Sequence, residues 1–263
     1  MSNVRLDLDR HVATITLDSP QRRNALDRAD VDELRRCLDL AVNPSTGVRA
    51  IVIAGAGAVF CSGLNLCHMI PSGTGMAEQE GEIKRMYFAA LVLRLAEIRI
   101  PTIAAVNGPA VGAGMSLAIA CTMAVMGQTA YLDPSFPRLG LVPDGGLTYY
   151  LPRRVGTSRA ARILLTGEKI TATAALDMGL ATDVVPPDQV LGEALRIAHT
   201  IATTSIESTS RTFRLLRDSF DRSLASQLQE ERREQTAAIA SSDCREGVRA
   251  FFEKRAPVFD HLD

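Results

Sequence analysis

Three short runs of unbroken apolar residues constrain this chain most: 50–54 in RAIVIAGAG, 103–106 in RIPTIAAVNG, and the core of TMAVMG just beyond. A strand apolar on both faces is buried on both faces, which points to a parallel sheet covered by helices. Helical periodicity separates the runs. Val31, Leu34, Leu38 and Val42 recur at helical spacing behind Asp27 in the N-cap position. Residues 78–98 read as a long amphipathic helix, and PAVGAGMSLAIAC as a helix of small residues. Strand, helix, strand, helix, strand is the order of a layered α/β core with crossovers.

Two alternating segments precede this core, Val4–Asp9 and Val12–Leu17, and read as a hairpin turning at Arg10 and His11. After Gly145 the chain is almost all helical. The predicted segments are 145–151, 158–165, 172–178, 188–203, 206–239 with a break near Ser223, and 245–254. ATDVVP is a short strand among them. A soft boundary near Pro187 divides a core, 1–187, from a helical region, 188–263.

Charged residues are 22% of the 263, with 29 basic against 30 acidic, a balance that argues against a nucleic-acid surface. No window holds 18 uninterrupted apolar residues, so no transmembrane helix is expected. Residues 1–10 lack a signal-peptide core, and the expected location is the cytoplasm. The five cysteines are scattered without a Cys-x-x-Cys pair and read as free thiols. The four histidines lie far apart, and no metal-ligand spacing appears.

Two glycine-rich turns each follow a buried strand: CSGLNL (61–66) and NGPAVGAG (107–114). Glycine lets backbone approach a ligand closely. A helix N-terminus presents unpaired N–H groups. Two such turns together could aim two N–H groups at one developing oxyanion. The spacing is not that of a dinucleotide fingerprint or a P-loop. The competing reading is that the glycines only make tight strand-to-helix turns. One carboxylate, Asp144, sits among glycines and prolines in LGLVPDGGLTYYLP, and it too has two readings: a helix N-cap, or an acid/base group.

PQRRNALD, RAIVIAGAGAVFCSGLNL, IPTIAAVNGPAVGAGMSLAIACTMAV, the long stretch from LGLVPDGG to LATDVV, and GVRAFFEKRAPVF occur in this order over essentially the whole chain. With them the sequence resembles the crotonase (enoyl-CoA hydratase/isomerase) superfamily. The resemblance implies an α/β fold of stacked sheets (a ββα spiral core) wrapped by helices. It implies a helical C-terminal region used for trimerisation, giving a homotrimer or a dimer of trimers. It also implies an acyl-CoA thioester substrate, with no cofactor besides the coenzyme A that the substrate carries. By motif, the thioester oxygen would sit between the backbone N–H groups of Leu64 and Ala113. Arg22, Arg23, Ala25, Leu26, Ser62, Asn65 and Leu66 would line the CoA path, with Lys254 and Phe259 in a tail that closes over it in the same chain or from a neighbouring subunit. Residues 67–86 would line the acyl pocket, together with Ser116, Phe136 and Leu141.

Hydratases of this family hold a water between two glutamates. By register these fall on Ser116 and Phe136, so neither carboxylate is present. Serine is no general base near neutral pH without a partner, and phenylalanine is none at all. Relatives that move a double bond often carry an acid in the turn that Asp144 occupies. Phe136, Leu141, Val142 and Leu147 around it would raise its pKa if they formed an apolar pocket. Asp133 reads as part of a turn, Tyr149 and Tyr150 as packing residues, Cys61 and Cys67 as small buried hydrophobes, and His68 as a packing or surface residue. The expected activity is enoyl-CoA isomerisation with Asp144 as the sole acid/base. Hydration by a variant route and a catalytically weak acyl-CoA-binding paralogue are the alternatives.

Overall fold

The structure is a computed structural model that describes residues 3–66 and 77–259, with backbone alone for 77–86. Val4–Asp9 (β1) and Val12–Leu17 (β2) pair antiparallel, from Val4 opposite Leu17 to Asp9 opposite Val12. Then follow Arg28–Ala41 (α1), Ala50–Gly55 (β3), Ala77–Glu97 (α2), Thr102–Val106 (β4), Ala110–Val111 (β5), Ala113–Ala120 (α3), Met123–Gly127 (β6) and Tyr131–Asp133 (β7). Leu147–Val155 (α4), Thr157–Thr166 (α5), Ile170–Thr171 (β8), Ala172–Asp177 (α6) and Asp183–Val185 (β9) complete the sheets. Val190–Ala202 (α7), Ile206–Asp218 (α8), Leu224–Ile239 (α9) and Ser242–Glu253 (α10) end the chain.

The main sheet runs β1-β2-β3-β4-β6-β9, parallel from β2 onward. Its strands alternate between two cores. Ile51 and Ile53 face α1, α2 and α3, in the larger core. Ala50, Val52 and Ala54 face the other way, together with Ile103, Ala105 and Val125. That second face is covered by α7. Its Ala194, Ala198 and Ala202, four residues apart, make a stripe of small side chains that lies flat on the sheet.

Because β2, β3, β4, β6 and β9 are parallel, their C-terminal ends share one edge, where open α/β sheets place their ligands. The two glycine turns leave β3 and β4 at that edge. The second leads into a small sheet, β5-β7-β8, whose two- and three-residue strands are too short to show a period in sequence. Helix α8 ends at Asp218, and α9 restarts behind Ser223, whose side chain accepts from the Ser226 N–H. The expected break at Ser223 is therefore an N-cap.

The tail after α10 folds back on its own chain. Glu246 takes both Arg255 guanidinium nitrogens, at 2.6 and 3.0 Å, and accepts the Val258 N–H at 3.0 Å. These bonds hold the Glu246 carboxyl down at about 2, against an ordinary 4.5. A depressed carboxyl stabilises the fold above its unfolded pKa and stops doing so as pH falls through the folded value. The tail contact is therefore expected to persist through the ordinary carboxylate range and to loosen only as pH approaches 2. The Val258 amide shift, followed by NMR, should report that midpoint and lose it in Glu246→Gln.

Candidate active site

The first glycine turn is held from behind by one side chain. Asn24 is 1% exposed and has left-handed backbone, as does Arg23. Its Nδ2 fans over the carbonyls of Ala56, Val59 and Phe60 at 2.9, 2.7 and 3.2 Å, and its Oδ1 accepts the Ser19 N–H at 2.9 Å. The segment around Asn24 then zips along the turn. The Ser62 N–H donates to Arg23 O, the Leu26 N–H to Gly63 O, and the Asn65 N–H to Leu26 O. Leu26 thus bonds the residues on either side of Leu64, a parallel bridge that turns the Leu64 N–H to the opposite side.

On that opposite side lies the second turn. Cys61 bridges to it through its N–H on Pro109 O, at 3.2 Å, and its carbonyl on the Val111 N–H, at 2.9 Å. A Cβ on Gly114 would collide with the Cys61 carbonyl, so only glycine allows this approach. A Cβ on Gly63 would lie 2.8 Å from Val111 O and 3.4 Å from the Ala113 nitrogen. Ala113 opens α3, where the first N–H groups have no partner within the helix. The fold therefore sets the Leu64 and Ala113 N–H groups on adjoining strands of backbone. Burial in this seam pushes the Cys61 thiol up to about 12, so it is a packing group rather than a nucleophile.

Asp144 lies half-buried in the third turn, ahead of α4. Gly145 and Gly146 both adopt left-handed backbone, at φ of 60° and 74°. Helix α4 begins at Leu147, with Gly146 as its N-cap. The N-cap reading of Asp144 is thereby corrected: it stands two residues before the cap. The turn packs on α3 and α2. Ser116 Oγ donates to Asp144 O at 2.9 Å, and a Cβ on Gly145 would run into the Phe88 ring and lie 2.8 Å from Ser116 Cβ. Ser116 is three residues beyond Ala113 on α3, about 4.5 Å along the axis. Phe136 is buried, and its ring edge lies 4.0 Å from where a Gly112 Cβ would be, beside Ala113.

A sequence model of the enoyl-CoA hydratase/isomerase family matches residues 7–261. The chain belongs to this family, within the crotonase superfamily. It is similar to 1,2-epoxyphenylacetyl-CoA isomerase of Escherichia coli, 34% identical over 96% of each chain. It is also similar to a probable enoyl-CoA hydratase of Rhodobacter capsulatus, 38% identical over 97% of each. Among solved structures, an enoyl-CoA hydratase of Bacillus anthracis superposes with a TM-score of 0.92 at 29% identity, covering 98% of this chain and 99% of that one. The crotonase fold expected from sequence is thus shown.

For a crotonase-family chain, several expected site residues sit together and others do not. Ala25, Leu26, Ser62, Asn65 and Leu66 lie along the zipped segment beside Leu64. Arg23 is exposed there. Arg22 is a correction. Its guanidinium is taken by Asp27 at 3.1 Å, Asp30 at 3.0 Å and Ser19 Oγ at 2.9 Å, and so braces the capped start of α1 instead of facing outward for phosphate. Phe259 is another. Its carbonyl accepts from the buried Arg49, just before β3, and its ring lies against Gly247 of α10. That is the edge of the sheet away from the glycine turns. Lys254 caps the exposed end of α10 in left-handed backbone. Val142 is 81% exposed, whereas Leu141 packs against the larger core and Leu147 is fully buried. Cys67, His68 and the proposed acyl-pocket stretch up to residue 86 lie outside the described residues and side chains.

Asp133 is structural, as expected: it is buried and paired with Arg138 and Lys169. Arg153 stacks 3.5 Å over the Tyr149 ring, and Tyr150 packs against Gly146. Among the described residues no cluster of three or more His, Cys, Asp or Glu could hold a metal, and no helix is long and apolar enough to cross a membrane. Two residues escaped the sequence reading. Asn24 stood in a quoted motif, yet nothing but its left-handed neighbourhood marks it as the clamp. Tyr87, on α2 beside Phe88, has its phenol pushed up by burial first, then by the Asp27 and Asp144 carboxylates. It therefore stays a neutral hydrogen-bonding group within electrostatic reach of Asp144.

Removing the Asn24 amide leaves the buried Phe60 carbonyl, the half-buried Ala56 and Val59 carbonyls and the Ser19 N–H without this partner, at about 1–3 kcal/mol per fully buried group. Asn24→Ala is expected to lower urea-unfolding stability by at least about 3 kcal/mol. An unchanged midpoint would remove Asn24 from this role.

Proposed function

We propose that the chain is an enoyl-CoA isomerase that shifts a double bond through an enolate. The observation that carries this reading is the placement of acids. Of the three positions that carry acids in this family, 116 holds a serine bonded to backbone, 136 holds a buried phenyl ring, and only 144 holds a carboxylate. A 3-enoyl-CoA bound with its thioester oxygen between the Leu64 and Ala113 N–H groups would have its Cα beside Asp144. The carboxylate takes the Cα proton, and the C–H electron pair becomes a dienolate whose negative oxygen the two donors hold. The same acid then returns the proton to the γ-carbon, leaving the double bond conjugated with the thioester. One base in reach of both carbons is enough. The reading needs no group beyond the base, the two donors and the CoA of the substrate. Arg23 is the cation best placed to meet CoA phosphates, being exposed on the segment bonded to Ser62.

Hydration is the second reading, favoured by the names of relatives such as 2,3-dehydroadipyl-CoA hydratase of Escherichia coli, 35% identical. The two are separated by giving the protein a 3-enoyl-CoA and, separately, a 2-enoyl-CoA. Double-bond migration without water addition is expected. Rapid hydration of the 2-enoyl-CoA would overturn the isomerase reading, and CoA-ester binding without turnover would leave a binding paralogue. Asp144→Asn should reduce migration by about 100- to 10,000-fold with the fold intact.

The same reading includes assembly as a homotrimer or a pair of trimers. It is supported by large apolar side chains left exposed on the C-terminal elements: Phe220, Leu224, Phe251 and Phe252 are each at least 67% exposed. Light scattering should give a mass of three or six chains, and Phe251→Glu with Phe252→Glu should lower it.

A further inference from the structure

The position where the family's first glutamate falls by register is not vacant of function. We infer that Ser116 is a positioning residue that fixes the Asp144 carboxylate relative to the oxyanion donors; this rests on the reading of Asp144 as the base. Three observations carry it. Ser116 is 1% exposed, so water does not compete for its hydroxyl. The hydroxyl donates to the carbonyl of Asp144 itself at 2.9 Å, while its alternative acceptor, Gly112 O, lies at 3.4 Å. The segment it ties down has little stiffness of its own, because Asp144 is followed by two left-handed glycines.

The Asp144 carbonyl is a junction. It accepts from Ser116 Oγ on α3 and from the Leu147 N–H at 3.2 Å, where α4 starts. The Phe88 ring of α2 closes on Gly145, so three helices meet at this turn. Helix α3 carries both the Ala113 N–H and the Ser116 hydroxyl. The separation between oxyanion donor and base is then set by one turn of a buried helix rather than by the glycine turn. The hydroxyl proton is spent on this bond, so Ser116 acts through Asp144 and not on substrate.

The experiment follows two reactions: isomerisation of a 3-enoyl-CoA, and exchange of the Cα protons of butyryl-CoA in deuterated water, which needs base and oxyanion hole but no double bond. Ser116→Ala is expected to lower kcat by about 10- to 100-fold, the scale of a small misplacement of a reacting group, with KM changed less than about twofold. Ser116→Cys keeps the volume with a weaker donor and should fall between, which separates hydrogen bonding from packing. In an Asp144→Asn background, Ser116→Ala should cost nothing further. Wild-type kcat in Ser116→Ala, with Asp144→Asn inactive, overturns the positioning role and leaves the base reading standing. A full loss that persists in the Asp144→Asn background overturns it by putting the serine on the substrate. Wild-type exchange in Asp144→Asn overturns the base reading and the positioning role with it.

Discussion

The site depends on one buried amide. Asn24 gathers three carbonyls of the turn that leaves β3, and those carbonyls belong to a segment with no regular secondary structure to pair it. Without such an acceptor sink, the turn would leave buried carbonyls unsatisfied, which few folds tolerate. With it, the 22–26 segment is fixed in register on residues 62–65, and the Leu64 N–H is aimed away from its own bridge. The cost is local: Arg23 and Asn24 both adopt left-handed backbone, which L-residues seldom do outside asparagine and glycine. Arg22 offsets part of that cost by tying the same loop to the capping box of α1.

From there the geometry is transmitted by close backbone approach. Gly63 and Gly114 let the two turns touch where any side chain would hold them apart. The contact brings the start of α3 against the first turn, and α3 in turn carries the Asp144 segment through Ser116. Each link is a backbone group or a short buried side chain, with few rotamers to lose. Such a chain of rigid contacts would suit the proposed oxyanion hole, since donors that need not reorganise stabilise a developing oxyanion best.

Much of this was legible in the residues, and the failures are instructive. The parallel strands announced themselves because a strand buried on both faces leaves an unbroken apolar run, as in 50–54. The glycine turns were legible because close approach demands glycine. The small β5-β7-β8 sheet was not, since two residues carry no period. Asp144 kept the N-cap as its second reading because residue type alone cannot tell a cap from a residue two places earlier. The difference lies in the φ of Gly145 and Gly146, which sequence does not print. Arg22 looked free because its partners Asp27 and Asp30 come close only once α1 is capped. The path of the tail was hidden for a similar reason: Arg49 is 153 residues from Ala202 and 210 from Phe259, yet its guanidinium binds both carbonyls.

The serine at 116 and the aspartate at 144 make best sense as one change rather than two. A glutamate at 116 would project from α3 at the point where the Asp144 carbonyl now accepts a hydrogen bond, in a volume already filled by Gly145 and Phe88. Its carboxylate would face a carbonyl dipole of the same sign. A hydroxyl removes the charge, supplies the donor that the carbonyl needs, and fits the space. On the proposed isomerase reading, the buried phenyl ring at 136 would give a hydrating water no second anchor. On that same reading, a single acid at 144, beside a neutral serine at 116, would take the place of the two-acid arrangement.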